Sequence, residues 1–159
     1  MMQKITTCLW YDNQAEEAAK FYTSVFKNSK IGSTSRYDEA SSKAAKMPVG
    51  SVMVITFELE GREFMALNGG PLFKFNESVS LVVNCNDQKE VDYYWEKLIS
   101  GGGQESMCGW LKDKFGLSWQ IVPTELGKLM SSKEPGKAQR VMAEMLKMKK
   151  LDINVLKNA

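Results

Sequence analysis

The chain has 159 residues, 43% hydrophobic and 25% charged, with 21 basic against 19 acidic side chains and a formal net charge of +2. Such a length allows one sizeable core, and so even a charge balance provides no broad electrostatic footprint for nucleic acid. Histidine is absent, which excludes Ser-His-Asp, Cys-His and HExxH chemistry.

Cys8, Cys85 and Cys108 are odd in number, widely spaced and form no CxxC pair, so they read as free thiols rather than a disulfide framework or a zinc site. Met1 to Lys4 leads straight into an alternating pattern with no apolar signal region, and no apolar run approaches the length needed to span a bilayer. The expectation is a cytoplasmic protein with no membrane and no nucleic-acid partner.

In chain order, Ile5 to Tyr11 reads as a strand. Asn13 offers an N-cap with Glu16 as its capping-box partner. Ala18, Phe21, Tyr22, Val25 and Phe26 follow at helical spacing, an apolar stripe. Ile31 to Tyr37 returns as a strand, and Glu39 to Gly50, lacking apolar periodicity, reads as a mobile loop. Ser51 to Glu60 and Glu63 to Asn68 form a hairpin across Gly61-Arg62, and Gly69-Gly70-Pro71 breaks the chain.

The pattern then restarts. Val79 to Cys85 is a strand, and Asp87 caps a helix with Glu90 as partner. Val91, Tyr94, Trp95, Leu98 and Ile99 fall on the first stripe after a shift of 73 residues, whereas the two cap pairs align at 74. Gly101-Gly102-Gly103 ends this helix. Gln104 to Leu111 reads as a strand, Asp113 to Gly116 as a turn, and Leu117 to Val122 as a strand closed by Pro123. Repetition of strand, helix, strand and hairpin predicts an α+β fold of two tandem βαβββ modules, module one at 4–68 and module two at 78–123, within a single domain spanning 1–159. A helical tail covers 124–156. It opens with a short helix from Thr124. Over 135–148, Ala138, Val141, Met142, Met145 and Leu146 then make an amphipathic stripe that packs on the domain or on a second subunit. Its basic residues read as a solvated face rather than a membrane-binding one.

The runs Glu63-Phe-Met-Ala-Leu-Asn-Gly-Gly-Pro71 and Cys108-Gly-Trp-Leu-Lys-Asp-Lys-Phe-Gly-Leu-Ser-Trp-Gln-Ile-Val-Pro123, with Asn13-Gln-Ala-Glu-Glu-Ala18 ahead of Phe21-Tyr22, resemble the PhnB-like family. That family belongs to the glyoxalase/bleomycin-resistance/extradiol dioxygenase (vicinal oxygen chelate) superfamily, and the likeness extends over nearly the whole chain, tail included. It implies paired modules forming a cupped mixed sheet around a pocket, and a homodimer. Many relatives carry the label 3-demethylubiquinone-9 3-methyltransferase. That label fits poorly, because no GxGxxG turn follows a strand to approach a nucleotide-like cofactor.

Superfamily enzymes hold a divalent metal with His and Glu from the first and last strands of each module. The resemblance carries those positions to Thr7, Ala66, Ser80 and Gln120, where the side chains are neutral or apolar and suit such an ion poorly. Glu58 and Glu63 read as solvated edge carboxylates. The sequence therefore predicts no metal and no cofactor, and a small-molecule ligand in a pocket drawn from Thr7, Phe57, Met65, Ser80, Trp110 and Gln120, with Trp110 stacking on a planar ligand. Three readings stay open: a metal-free binding protein, an atypical lyase, isomerase or dioxygenase, and a protein that sequesters a toxic compound as bleomycin-resistance relatives do.

Overall fold

The computed structural model describes residues 3–159. The chain separates into two compact units, the first ending at Phe75 and the second running Asn76–Ala159. Each contains one four-stranded mixed sheet, and the two sheets have the same strand order.

The first unit comprises β1 (Thr7–Tyr11), α1 (Ala15–Val25), β2 (Ser29–Arg36), α2 (Glu39–Ala45), β3 (Val52–Leu59) and β4 (Arg62–Asn68). Its sheet order is β1-β4-β3-β2. β1 runs parallel to β4 and the remaining pairs are antiparallel. Ala15, Ala18, Ala19, Tyr22 and Val25 form the buried stripe of α1. They meet Leu9, Tyr11, Ile55, Phe57 and Phe64, all buried, on one face of the sheet. Tyr22 lies 6.0 Å from Phe57 between ring centroids, and Phe57 stacks on Phe64 at 5.4 Å. Each such side chain contributes roughly 1.5–3 kcal/mol on burial.

The start of α1 differs from the expectation. The N-cap is Gln14, whose side chain makes no capping bond, and the Asn13–Glu16 capping box does not form. Asn68 at the end of β4 takes the role instead: its Oδ1 accepts from Ala15 N at 2.8 Å, and its Nδ2 donates to the Val52 carbonyl at 3.0 Å. Asn68 is buried at 4% exposure, so a long-range side chain satisfies the helix terminus that local sequence left open. The segment expected to be a loop holds α2. Asp38 and Ser41 close a reciprocal capping box there, and the helix, with no buried residue, had no periodicity to betray it.

The second unit comprises β5 (Ser80–Cys85), α3 (Gln88–Ile99), β6 (Gln104–Glu105), β7 (Trp110–Lys112), β8 (Ser118–Pro123), α4 (Thr124–Met130), α5 (Lys137–Met145) and α6 (Ile153–Asn158). Its sheet order is β5-β8-β7-β6, with β5 parallel to β8. Asp87 caps α3 by accepting from Glu90 N at 2.9 Å. Glu90 in turn accepts from Asn86 N rather than from the cap residue. The N-caps Gln14 and Asp87 sit 73 residues apart, while the buried strand ends Tyr11 and Cys85 sit 74 apart. The strand-to-helix turn is thus one residue shorter in the second module; the true caps share the 73-residue shift of the stripes, and the 74-residue alignment of Asn13 with Asp87 rests on a cap that does not form. Gly103 lets the end of α3 close against β7: a Cβ there would lie 2.7 Å from the Lys112 carbonyl oxygen.

The strand expected over 104–111 is two pieces, because Cys108 (φ 59°) and Gly109 (φ 82°) turn the backbone left-handed between them. The tail helix is shorter than 135–148, and α6 follows it. Val141, Leu151 and Leu156 form a buried cluster with Leu126, Leu129, Met130, Met145 and Met148 packed around it, so Val141 and Met145 of the α5 stripe pack within their own chain while Leu146 is exposed. Among the described residues, no helix is long and apolar enough to cross a membrane.

Asn68→Ala removes two buried hydrogen bonds and leaves the first α1 amide unmatched. Urea denaturation should show a loss of about 2–3 kcal/mol. Asn68→Asp keeps the acceptor for Ala15 and should recover part of it, whereas a loss below about 0.5 kcal/mol for Asn68→Ala would contradict this role.

Candidate functional site

In the second unit, α3 covers one face of the sheet. Leu111, Trp119, Ile121 and Cys85 are buried on that side. Residues opposite one another across a ladder point to the same face, and neighbours along a strand to opposite faces. The registers Ser80↔Ser118, Trp110↔Gln120 and Lys112↔Ser118 therefore place Ser80, Trp110, Lys112, Ser118 and Gln120 together on the face away from α3. Gln120 Nε2 donates to Ser80 Oγ at 2.9 Å, a direct contact across β5 and β8. Ser80, Trp110 and Gln120, read from sequence as pocket residues, are brought together here, each half-buried.

Asp113 holds this arrangement in register. It is buried at 3% exposure. Its Oδ1 accepts from Phe115 N at 2.9 Å and Leu117 N at 3.1 Å, and its Oδ2 from Trp119 Nε1 at 2.8 Å. One carboxylate thereby shapes the β7–β8 turn and fixes the Trp119 indole on the helix side. Alternation along β8 then sends Gln120 to the other side.

The first unit has a corresponding face away from α1. Cys8↔Met65 and Thr56↔Met65 are ladder partners, so Met65 stands there beside Cys8 and Thr56. Trp10 shares the face. Its Nε1 donates to the Gly70 carbonyl at 2.9 Å, and Phe73 packs on it edge-on at 4.9 Å. Any Cβ on Gly69 would overlap the Trp10 ring. Two of the predicted pocket residues lie elsewhere. Phe57 is 1% exposed beneath Tyr22, and Thr7 shares the alternation of Leu9 and Tyr11 on the helix side. At β1, Cys8 rather than Thr7 occupies the face away from the helix.

The donor chemistry does not fit the superfamily's divalent metal. At the two second-module positions stand a serine hydroxyl and a carboxamide already bonded to each other, neutral groups with low affinity for such ions. Glu58 is ion-paired to Lys30 at 3.1 Å. Among the described residues, no group of three or more His, Cys, Asp or Glu side chains is placed to hold a metal ion.

Sequence reasoning singles out neither Ser118 nor Lys112 with its ion pair to Glu77. A separate cleft of about 440 Å³ in the first unit is lined by Asp12, Glu16, Arg36, Pro48, Ser51 and other residues. There the neighbouring Lys20, and beyond it Arg36, hold the Glu16 carboxyl below the usual range.

A family model described as 3-demethylubiquinone-9 3-methyltransferase matches residues 3–122. The match stops short of α4–α6, a narrower span than the whole-chain likeness expected from sequence. The PhnB protein of Bacillus cereus is 40% identical, with a TM-score of 0.67 over 77% of this chain and 100% of that one. A protein from Pseudomonas aeruginosa, at 15% identity and TM-score 0.60, covers 77% of this chain and 98% of its own. The fosfomycin resistance protein FosX of Listeria monocytogenes, at 13% and 0.51, covers 77% and 93%. The latter two share the fold. No curated protein matches the chain. With the matched runs, the βαβββ repeat and the strand order all in agreement, the chain belongs to the PhnB-like, 3-demethylubiquinone-9 3-methyltransferase-like family.

Proposed function

We propose that the protein binds a small molecule on the second unit's face, at Ser80, Trp110 and Gln120, and that it does so without the superfamily's metal. The observation that carries this reading is the 2.9 Å Gln120–Ser80 contact, a neutral polar pair at the metal-ligand positions, opposite a half-buried indole. A flat aromatic surface beside a few oriented polar groups is the composition of a ligand seat. It lacks the charged donors that a Lewis-acid centre requires.

The chemistry of the remaining residues favours binding over turnover. Burial, with Glu90 and Asp87 adding to it, pushes the Cys85 thiol up to about 12, so it is a protonated core residue on the helix side rather than a nucleophile. Burial also raises the Cys8 thiol. Methyl transfer from a nucleotide-like donor would need a glycine turn leaving a parallel strand. The run Gly101–Gly103 instead follows α3, and Gly103 packs against β7. Sequestration of a toxic compound is the same binding reading with a biological purpose attached. An atypical enzyme would need Lys112 or its partner Glu77, the charged groups at this face, to move a proton on the bound molecule. The homodimer implied by family membership is part of the proposal.

Three measurements test this. A panel of small planar molecules should include at least one that raises the thermal midpoint in proportion to its concentration. Trp110→Ala and Gln120→Ala should abolish that shift, and a panel with no stabilising member, or stabilisation untouched by both variants, would refute the reading. Iodoacetamide at about pH 8 should alkylate exposed Cys8 at least ten times faster than Cys85, and equal rates would remove the assignment of Cys85 to the core. Light scattering of the full chain should give a dimer mass, and a monomer at working concentrations removes that part of the proposal.

A further inference from the structure

The hydroxyl of Ser118 is buried at 1% exposure and, among the described residues, its oxygen has no hydrogen-bond partner. Buried polar groups are ordinarily matched, and leaving one unmatched is costly. Ser118 stands opposite Ser80 on β5 and opposite Lys112 on β7, where facing side chains begin about 5 Å apart. Its neighbours on the same face are donors. Ser80 Oγ already accepts from Gln120, which leaves its proton to give outward, and Lys112 carries three N–H bonds. An ammonium and two hydroxyls on one face complement a group that only accepts hydrogen bonds and carries negative charge.

The Lys112 ammonium is engaged by the Glu77 carboxylate. Glu77 is 62% exposed, on the segment just before β5, while Lys112 is 33% exposed. Lys112 holds the Glu77 carboxyl below its usual range. Ion pairs this open to solvent contribute little to stability, so exchanging Glu77 for another carboxylate costs little. The Ser118 oxygen is closed to solvent in this arrangement, so an incoming anion reaches it only as the Glu77–Lys112 pair opens.

We propose that Lys112, Ser118 and Ser80 form a seat for the oxyanion of a small planar ligand whose ring lies against Trp110, and that Glu77 occupies Lys112 until that oxyanion replaces it. This rests on the binding reading above and names the class of ligand: a planar molecule bearing a carboxylate or a phosphate. The two share charge and acceptor geometry, so the test includes both.

Calorimetric titration of the full chain with benzoate, its neutral isostere benzamide, and inorganic phosphate separates the cases. Benzoate should bind at least about ten times more tightly than benzamide, the value of one charge-assisted hydrogen bond. Lys112→Met should remove that preference, and Glu77→Gln should tighten benzoate several-fold by freeing Lys112. Phosphate competing with benzoate would assign the seat to tetrahedral oxyanions as well, and benzoate binding without phosphate competition would assign it to carboxylates. Ser118→Ala should weaken benzoate while the thermal midpoint of the unliganded protein stays level or rises. A fall in the midpoint would mean that the hydroxyl serves the fold and would overturn its role here. Equal affinities for benzoate and benzamide, indifferent to Lys112→Met, would refute the oxyanion seat yet leave the binding reading standing if Trp110→Ala still abolishes both. Failure of benzoate and phosphate to bind would overturn the seat, and the planar-molecule panel would then decide the binding reading separately.

Discussion

The parallel pairs β1–β4 and β5–β8 decide which side chains serve the core and which serve a ligand. Parallel strands cannot be joined by a tight turn. The chain leaves β1 through α1 and reaches β4 only after β2 and β3, and it leaves β5 through α3 in the same way. Each helix is thereby laid across one face of its own sheet. Once that face is covered, the two-residue alternation of every strand fixes the other. Trp119 beneath α3 implies Gln120 on the far side, and Phe57 beneath Tyr22 implies Thr56 there. The candidate site follows from strand parity rather than from any local motif.

Each unit then fixes its register with one buried polar side chain. Asn68 joins the start of α1 to the start of β3 through its amide, and its carbonyl oxygen also accepts from Tyr37 Oη at 2.5 Å. Asp113 joins both sides of the β7–β8 turn to the Trp119 indole. Such groups are expensive to bury and more expensive to orphan. A slip of one residue along β4 would move Asn68 off Ala15 and Val52, one along β8 would move Trp119 off Asp113, and either would turn the core face outward.

The repeat, the helix stripes and the hairpins were legible because each rests on periodicity that a single sequence displays. What was misread had causes of three kinds. Phe57 was assigned to the pocket because Val-Met-Val-Ile-Thr-Phe is apolar at nearly every position of β3, so alternation did not mark its parity; only Tyr22 and Phe64, distant in sequence, settle it. Local sequence points to Asn13 as the cap of α1 because the true partner, Asn68, lies more than fifty residues away. The helix α2 reads as a loop in the sequence because no residue of it is buried, although Asp38 and Ser41 spell its cap. Ser80 and Gln120 enter from the family's ligand positions, carried over by resemblance, and the registers of β5, β7 and β8 put Trp110 on the same face.

The tail adds a constraint that family membership does not explain. The matched region ends at residue 122, and the Bacillus cereus chain is covered in full by 77% of this one, leaving it no counterpart for the remainder. Yet Met148 and Lys149 accept from Cys108 N and Gly109 N, both at 2.7 Å. Gln88 on α3 bonds to both Leu151 and Ile153. Those first two bonds hold the left-handed pair immediately before Trp110, where a Cβ on Gly109 would stand 2.9 Å from the Ile121 carbonyl oxygen. The entry of β7, and with it the position of the Trp110 ring opposite Gln120, is therefore set from a segment that the shared fold does not include. Two chains with the same sheet can in this way present different aromatic edges to a ligand, without any change in the residues that line the face.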